Sequence, residues 1–374
     1  MRIAPLGLGD SAPWFTCRTE MRERFVFDTV AGRYLVLCFF GSSTDPVSAK
    51  VLALLAASRS RFDDTNLSFF GVTVDPEDER QRRVSASVPG VRYFWDFDRA
   101  VSGLYGALRE NGGYRKVTYV LDPMQRVLAV LPLLADADAH VAALLAVLER
   151  LPAIGAPYTA GLQAPVLVLP RVFEPKLCQA LIDYYRSQGG KASGFMQDIG
   201  GKTVQVFWHL QKVRRDCVLE DEELRKACIR RIQERVFPQI QRAFQFQVTR
   251  MERYLLGCYD ANEGGHFRTH RDNTTKGTEH RRFAVSLFLN SGEYEGGSLR
   301  FPEFGSGLYS APPGGAVVFS CSLLHEATAV TRGQRYMFLP FLYDEPARRI
   351  REKNQHYLNP ETSGDTADAS EPGT

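Results

Sequence analysis

The sequence predicts two structural units of different class, an α/β unit over residues 1–151 and an α+β unit over 166–345 built as a double-stranded β-helix, or jelly roll. Three observations carry this expectation. Apolar runs alternate with helical patterns through the first 150 residues, as in a sheet flanked by helices. The stretch Leu151 to Pro165 (LPAIGAPYTAGLQAP) is rich in Pro, Gly and Ala, and it places a linker at 152–165. From Arg250 to Tyr343, short strand patterns are separated by turn signals at Asn262-Glu-Gly-Gly265, Glu295-Gly-Gly297, Pro312-Pro-Gly-Gly315 and Arg332-Gly333. That rhythm suits two packed antiparallel sheets.

In the first unit, Tyr34 to Phe40 is a continuous apolar run ending at Gly41, which reads as a buried central strand. Val47 to Ala57 has helical spacing. Leu67 to Val74, Val91 to Trp95, Lys116 to Leu121 and Arg126 to Leu131 read as further strands, the last two joined at Asp122-Pro-Met, and Ala137 to Leu151 closes the unit as a helix. In the second unit a capped helix begins near Phe173-Glu-Pro-Lys, and Asp221 to Phe244 reads as one long helix with charges on one face. Residues 346–374 form a C-terminal extension whose small, polar, acidic end, Glu361 to Thr374, is expected to be disordered.

Gly9-Asp-Ser-Ala-Pro13, the strand ending in Phe39-Phe40, Gly71-Val-Thr-Val-Asp75 and Thr118-Tyr-Val-Leu-Asp122 carry a family likeness. Through them the first unit resembles the thioredoxin-like fold of peroxiredoxins. Aligning Phe39 through Ser48 on the peroxidatic loop puts Ser48 at the nucleophilic cysteine, Gly41 at the usual proline and Asp45 at the usual threonine. A hydroxyl cannot become a sulfenic acid, and an acidic neighbour opposes a thiolate. The unit therefore reads as redox-inactive, with Cys38 inside an apolar strand and Cys17 near the N-terminus as ordinary packing residues.

Composition narrows the function. With 374 residues, 44% hydrophobic and 24% charged, the chain is long enough for two domains with sizeable cores. A net charge of +3, without a long Lys/Arg block, gives no reason to expect nucleic acid. The start, MRIAPLGLGDSAPWF, has no basic segment followed by an apolar run, so no signal peptide is expected. The most apolar stretch, Val127 to Leu148, is interrupted by Pro132, Asp136, Asp138 and His140, which argues against a membrane span. Seven Cys without a CxxC read as reduced thiols, and a cytoplasmic location is expected. The sequence leaves the oligomeric state open.

The most informative group of residues lies between Tyr259 and Tyr336. His270, Asp272 and His325 are two imidazoles and a carboxylate, the ligand set that holds non-haem Fe(II) with positions left open. Period-2 geometry predicts His270 and Asp272 on one strand face, with His325 supplied by a distant strand. Arg335, ten residues after His325, offers a fixed fork for a carboxylate. Together they suggest an oxygenase that consumes 2-oxoglutarate.

The surrounding order extends the pattern: Cys258-Tyr259 through His270-Arg-Asp272-Asn273, the strand Phe283 to Asn290, Tyr294-Glu-Gly-Gly297, Leu299-Arg-Phe-Pro302, Pro312 to Phe319, His325, then Val330 to Arg335. From about Ala164 to Tyr343 the chain resembles the catalytic domain of prolyl-4-hydroxylase-type Fe(II)/2-oxoglutarate dioxygenases. The resemblance implies that His270, Asp272 and His325 bind Fe(II) and that Arg335 clamps the C5 carboxylate of 2-oxoglutarate. It also implies that Tyr259 faces the co-substrate as a hydrogen-bond donor. Where oxygen-sensing prolyl hydroxylases have a second tyrosine this chain has Phe288, so Ser286 or Thr331 is the expected substitute donor.

Other polar residues read less sharply. His266 reads as a turn histidine, with pocket lining the alternative; His280 as a loop residue; His209 as packed or surface. The basic run Lys212-Val-Arg-Arg215 reads as a solvated face, with contact to an acidic substrate the alternative. The functional reading is hydroxylation of an unactivated C–H bond with release of succinate and CO2, supported by ascorbate. The resemblance favours a peptidyl residue such as proline, a free amino acid or small metabolite being the alternative. Two readings of other classes are a thiol peroxidase, which Ser48 opposes, and a thioredoxin-like interaction protein, which the intact ligand set opposes.

Overall fold

The structure, a computed structural model, describes residues 4–358; the polar tail from Glu361 lies outside the described residues. The chain divides into two compact units, Met1–Tyr158 and Thr159–Thr374. Residues 152–166 contain neither helix nor strand.

The first unit is built on a five-stranded sheet in the order Val91–Trp95, Leu67–Thr73, Tyr34–Gly41, Val117–Leu121, Val127–Pro132. The first three run parallel and the last two join antiparallel. Alternation along the central strand divides the core. Leu35, Leu37 and Phe39 pack with Phe70, Phe94 and Tyr119 on one face, while Val36, Cys38 and Phe40 pack with Val51, Leu55 and Leu144 on the other. The helix Pro46–Ala57 begins where Asp45 accepts a hydrogen bond from the Ser48 N–H at 2.9 Å, with Pro46 in the first turn. Lys116 Nζ lies 2.7 Å from the same carboxylate. This is a thioredoxin-like, peroxiredoxin-type fold.

The second unit is a sandwich of two sheets. The larger runs Arg250–Glu252, Phe341–Tyr343, Phe283–Phe288, Gln334–Phe338, Leu255–Asp260, Arg215–Val218, Lys191–Ala192, with Ala316–Ser320 also paired to Phe283–Phe288. The smaller runs Lys212–Val213, His266–His270, His325–Ala327, Leu299–Arg300, Leu308–Tyr309. Period-2 alternation again sorts the side chains. Val285 and Leu287 pack with Leu181, Ile232 and Ile240 of the covering helices, whereas Ala284 and Phe288 join Phe267, Leu299 and Ala327 between the sheets. This is the expected jelly roll.

Several expectations need correction. The predicted long helix is two, Glu222–Arg235 and Phe237–Phe244, because Pro238 has no N–H to continue the ladder across Val236. The segment after Tyr343, expected only as an extension, forms a helix at Glu345–Asn354, capped by Asp344 accepting from the Ala347 N–H at 3.0 Å. His280 lies in a loop as expected but is buried there, 3.0 Å from the Glu252 carboxylate that Arg281 also holds at 2.7 Å. Among the described residues no helix is long and apolar enough to cross a membrane. All seven cysteines are free thiols.

Candidate metal centre

Two strands of the smaller sheet bring the imidazoles together. His266–His270 pairs antiparallel with His325–Ala327, and His270 and His325 are direct cross-strand partners. The register shifts between Phe267 and His270, so two residues are inserted against one and the strand bulges there. The bulge sets Phe267 and His270, three apart, on the cavity side, and their rings stack with centroids 3.5 Å apart. It also explains why His266, which simple alternation would put with His270, lines a different surface depression and is tied to Gly264 O at 2.7 Å.

Asp272 does not share the strand face predicted for it. The strand ends at His270, and Asp272 sits in the turn that follows, held by its own N–H donating to Cys321 O at 3.0 Å. Arg271 fixes the same turn through Glu303 Oε1 at 2.6 Å and through Ser322 O. The result is convergence all the same. His270 Nε2 lies 3.5 Å and His325 Nε2 3.4 Å from the two oxygens of Asp272, and the three ligand atoms all lie within 4.8 Å of one another.

The hydrogen bonds of the imidazoles determine what these atoms present. His270 Nδ1 lies 2.7 Å from Arg268 O, and His325 Nδ1 lies 3.0 Å from Leu323 O. A carbonyl only accepts, so each Nδ1 carries the proton and each Nε2 offers a lone pair. Burial, reinforced by His270, pushes the His325 imidazole down to about 4, which keeps it neutral at pH 7. Two nitrogen lone pairs and a carboxylate thus face one another, an arrangement that a cation between them would satisfy. The donor set fits Fe(II).

The opposite wall comes from the larger sheet. Tyr259 and Arg335 are cross-strand partners there, and the Arg335 guanidinium lies between two rings, 4.8 Å from the Tyr259 centroid and 5.0 Å from that of Phe288. Arg335 is 1% exposed, yet its Nε has no hydrogen-bond partner among the described residues. A buried guanidinium without an anion is a costly arrangement that a bound carboxylate relieves. Gly297, at φ +62°, leaves the room: a Cβ there would stand 2.6 Å from Arg335 Cδ.

His270, Asp272, His325, Tyr259, Ser286 and Arg335 all line one cavity of about 400 Å3. Thr331 does not. It is exposed on Val330–Arg332, where alternation turns the neighbouring Val330 inward instead. Phe288 is the second ring against Arg335. His209 is exposed.

Sequence reasoning undervalued two residues. Lys212 and Arg214, read as part of a solvated run, are 6% and 8% exposed and line the cavity. Arg214 holds Asp216 through both oxygens at 2.5 and 2.6 Å and donates to the Tyr259 hydroxyl at 3.4 Å. The signal was present: Lys212, Arg214 and Asp216 alternate with period 2, as an inward strand face requires.

Residues 234–343 match the family model of the 2OG-Fe(II) oxygenase superfamily, and residues 8–130 match that of the AhpC/TSA family. The chain is thus similar to the AhpC/TSA family in its N-terminal unit and to the 2OG-Fe(II) oxygenase superfamily in its C-terminal unit, each match covering less than half of the chain. A PKHD-type hydroxylase of Synechococcus sp. (strain JA-2-3B'a(2-13)) is 31% identical over 117 residues, 29% of this chain and 51% of the relative. The chain thus spans about half the length of the curated relatives it matches. Among solved structures, a Pseudomonas putida prolyl-4-hydroxylase is 16% identical, covering 49% of this chain and 94% of its own, with a TM-score of 0.37. Peroxidoxin BcpB from Mycobacterium tuberculosis is 21% identical, covering 39% of this chain and 97% of its own, with a TM-score of 0.34.

Proposed function

We propose that the chain is an Fe(II)- and 2-oxoglutarate-dependent dioxygenase that hydroxylates an unactivated C–H bond. 2-Oxoglutarate, O2 and the substrate are converted to succinate, CO2 and the alcohol. The single observation behind this reading is one cavity that presents three mutually facing ligand atoms on one wall and a buried guanidinium without an anion on the other.

In this reading His270, Asp272 and His325 hold the metal, which when bound supplies the coupling of O2 activation to decarboxylation of the co-substrate. The protein's own groups do the rest. Arg335 takes the C5 carboxylate by a charge-assisted fork, and Tyr259 and Phe288 fix the guanidinium plane between them. Because Arg214 donates to the Tyr259 oxygen, the phenolic proton remains available to the co-substrate, so Arg214 is a positioning residue. Phe267 and Phe319, stacked or edge-on against the two imidazoles at 3.5 and 4.6 Å, keep water from that side of the ligands. The substrate class implied by the sequence resemblance is a peptidyl residue such as proline, a free amino acid or small metabolite being the alternative.

The N-terminal unit acts as a redox-silent domain. Ser48 stands buried at the start of its helix, its hydroxyl donating to Phe40 O at 2.8 Å. Burial pushes the Cys38 thiol up to about 11 and the Cys17 thiol up to about 12, so neither supplies a thiolate at neutral pH. The functional reading is tested by succinate release from 2-oxoglutarate with Fe(II) and ascorbate across peptide and metabolite libraries. No turnover with any member, and none without substrate, would reject it.

A further inference from the structure

Lys212 is a buried primary amine in the cavity wall, which burial and the neighbouring Arg214 guanidinium push well below the usual lysine range. Its Nζ donates to Ser193 Oγ at 2.7 Å and to Gly194 O at 2.6 Å, both uncharged acceptors, and it lies 4.9 Å over the Phe267 ring. Among the described residues it has no ion-pair partner. The nearby carboxylate, Asp216, is taken on both oxygens by Arg214, receives Ser193 Oγ, and lies 3.6 Å from Arg253. Two guanidiniums therefore occupy the Asp216 carboxylate near Lys212. An ammonium has three N–H donors, and two are accounted for.

Chain geometry separates this cation from the co-substrate clamp. Arg335 stands on the larger sheet against Tyr259, whereas Lys212 stands on the smaller sheet opposite Phe267, the residue whose ring stacks on His270. The amine thus stands on the sheet that carries His270 and His325 rather than on that of the guanidinium. Keeping a lysine buried in a wall that an apolar residue of similar length could fill is costly unless an anion completes it.

We propose that Lys212 is a specificity-determining residue that binds a carboxylate, or an anion of like geometry, on the primary substrate close to the C–H bond to be hydroxylated. The proposal rests on the dioxygenase reading and names the substrate class within it: an acidic compound or an acidic residue of a peptide. The other source of a carboxylate in this cavity is 2-oxoglutarate itself, and the experiment separates the two.

The probes are N-acetyl-L-aspartate α-amide and N-acetyl-L-glutamate α-amide, each against its side-chain amide. Their binding is measured by calorimetry on protein loaded with redox-inert Zn(II), with and without 2-oxoglutarate. We expect at least one acid to bind wild type about tenfold or more tightly than its amide, as a charge-assisted contact requires. Lys212→Met should bring that ratio close to one, and Lys212→Arg should retain most of it. The Arg variant and the wild-type ratio keep the test decisive if the Met variant folds poorly. Equal or absent binding of acid and amide by wild type, or an acid preference that survives in Lys212→Met, overturns the proposal. So does an undiminished acid preference accompanied by a weaker 2-oxoglutarate affinity in Lys212→Met, which would assign the amine to the co-substrate. Failure of the dioxygenase reading shows separately, as absence of 2-oxoglutarate binding and of succinate release in wild type.

Discussion

His270 and His325 face each other as cross-strand partners in the smaller sheet, with ring centroids 4.2 Å apart and each Nδ1 tied to the carbonyl two residues before it. The backbone of one β-ladder thereby fixes both the separation of the imidazoles and the nitrogen each presents. Asp272 then needs only to fold back from the next turn. A preformed site of this kind should bind divalent metal without substrate. Titrated with Co(II), the wild-type protein should show ligand-field absorption at one equivalent, and His325→Ala or Asp272→Ala should lose it while keeping the wild-type circular dichroism. Stoichiometric Co(II) binding by both variants would place the metal elsewhere.

Arg335→Ala removes the cation from between Tyr259 and Phe288. The loss of a charge-assisted bidentate contact should cost about 2–3 kcal/mol, a factor of roughly 30 to 150 in co-substrate affinity. It should appear as a raised KM for 2-oxoglutarate. An unchanged KM would mean that another basic residue holds the carboxylate.

Gly297→Ala tests the same clamp without touching its charge. The new Cβ meets Arg335 Cδ at 2.6 Å and Val330 Cγ2 at 2.9 Å, in a backbone conformation that disfavours side chains. The variant should lose about 1 kcal/mol of stability from backbone strain alone and show a raised KM for 2-oxoglutarate. A wild-type melting temperature together with a wild-type KM would contradict the packing described.

The N-terminal unit should not reduce hydrogen peroxide with dithiothreitol or thioredoxin, because the Cys38 and half-buried Cys17 thiols are both pushed up and Ser48 cannot form a thiolate. Cys17→Ser together with Cys38→Ser should leave succinate release as in wild type. Peroxide-dependent turnover that vanishes with Cys38→Ser would restore the peroxidase reading.

Alternation made much of this chain readable. Leu35, Leu37 and Phe39 against Val36, Cys38 and Phe40 is a pattern the strand imposes directly, and it puts the central strand where the sequence predicts. Pro238 was visible too, and its missing N–H could have divided the long helix. What alternation could not show was its own interruption. The bulge between Phe267 and His270 depends on pairing with His325–Ala327, which local sequence does not encode, so His266 fell on the wrong side of a simple count, and Asp272 left the strand face because the strand ends at His270. Burial of His280 was hidden for a related reason, whereas that of Lys212 and Arg214 was legible in their period-2 spacing. Charge suggests solvent unless the partners are known, and Glu252 becomes the partner of His280 only through the fold.

If one cavity couples 2-oxoglutarate consumption to the His270–Asp272–His325 centre, succinate release reports on it. Wild-type protein with Fe(II), ascorbate and 2-oxoglutarate should release succinate slowly alone and faster with substrate. Asp272→Ala, correctly folded, should release less than a few per cent of the wild-type amount, since two imidazoles alone hold Fe(II) poorly. Succinate release by Asp272→Ala at near the wild-type rate would contradict the account.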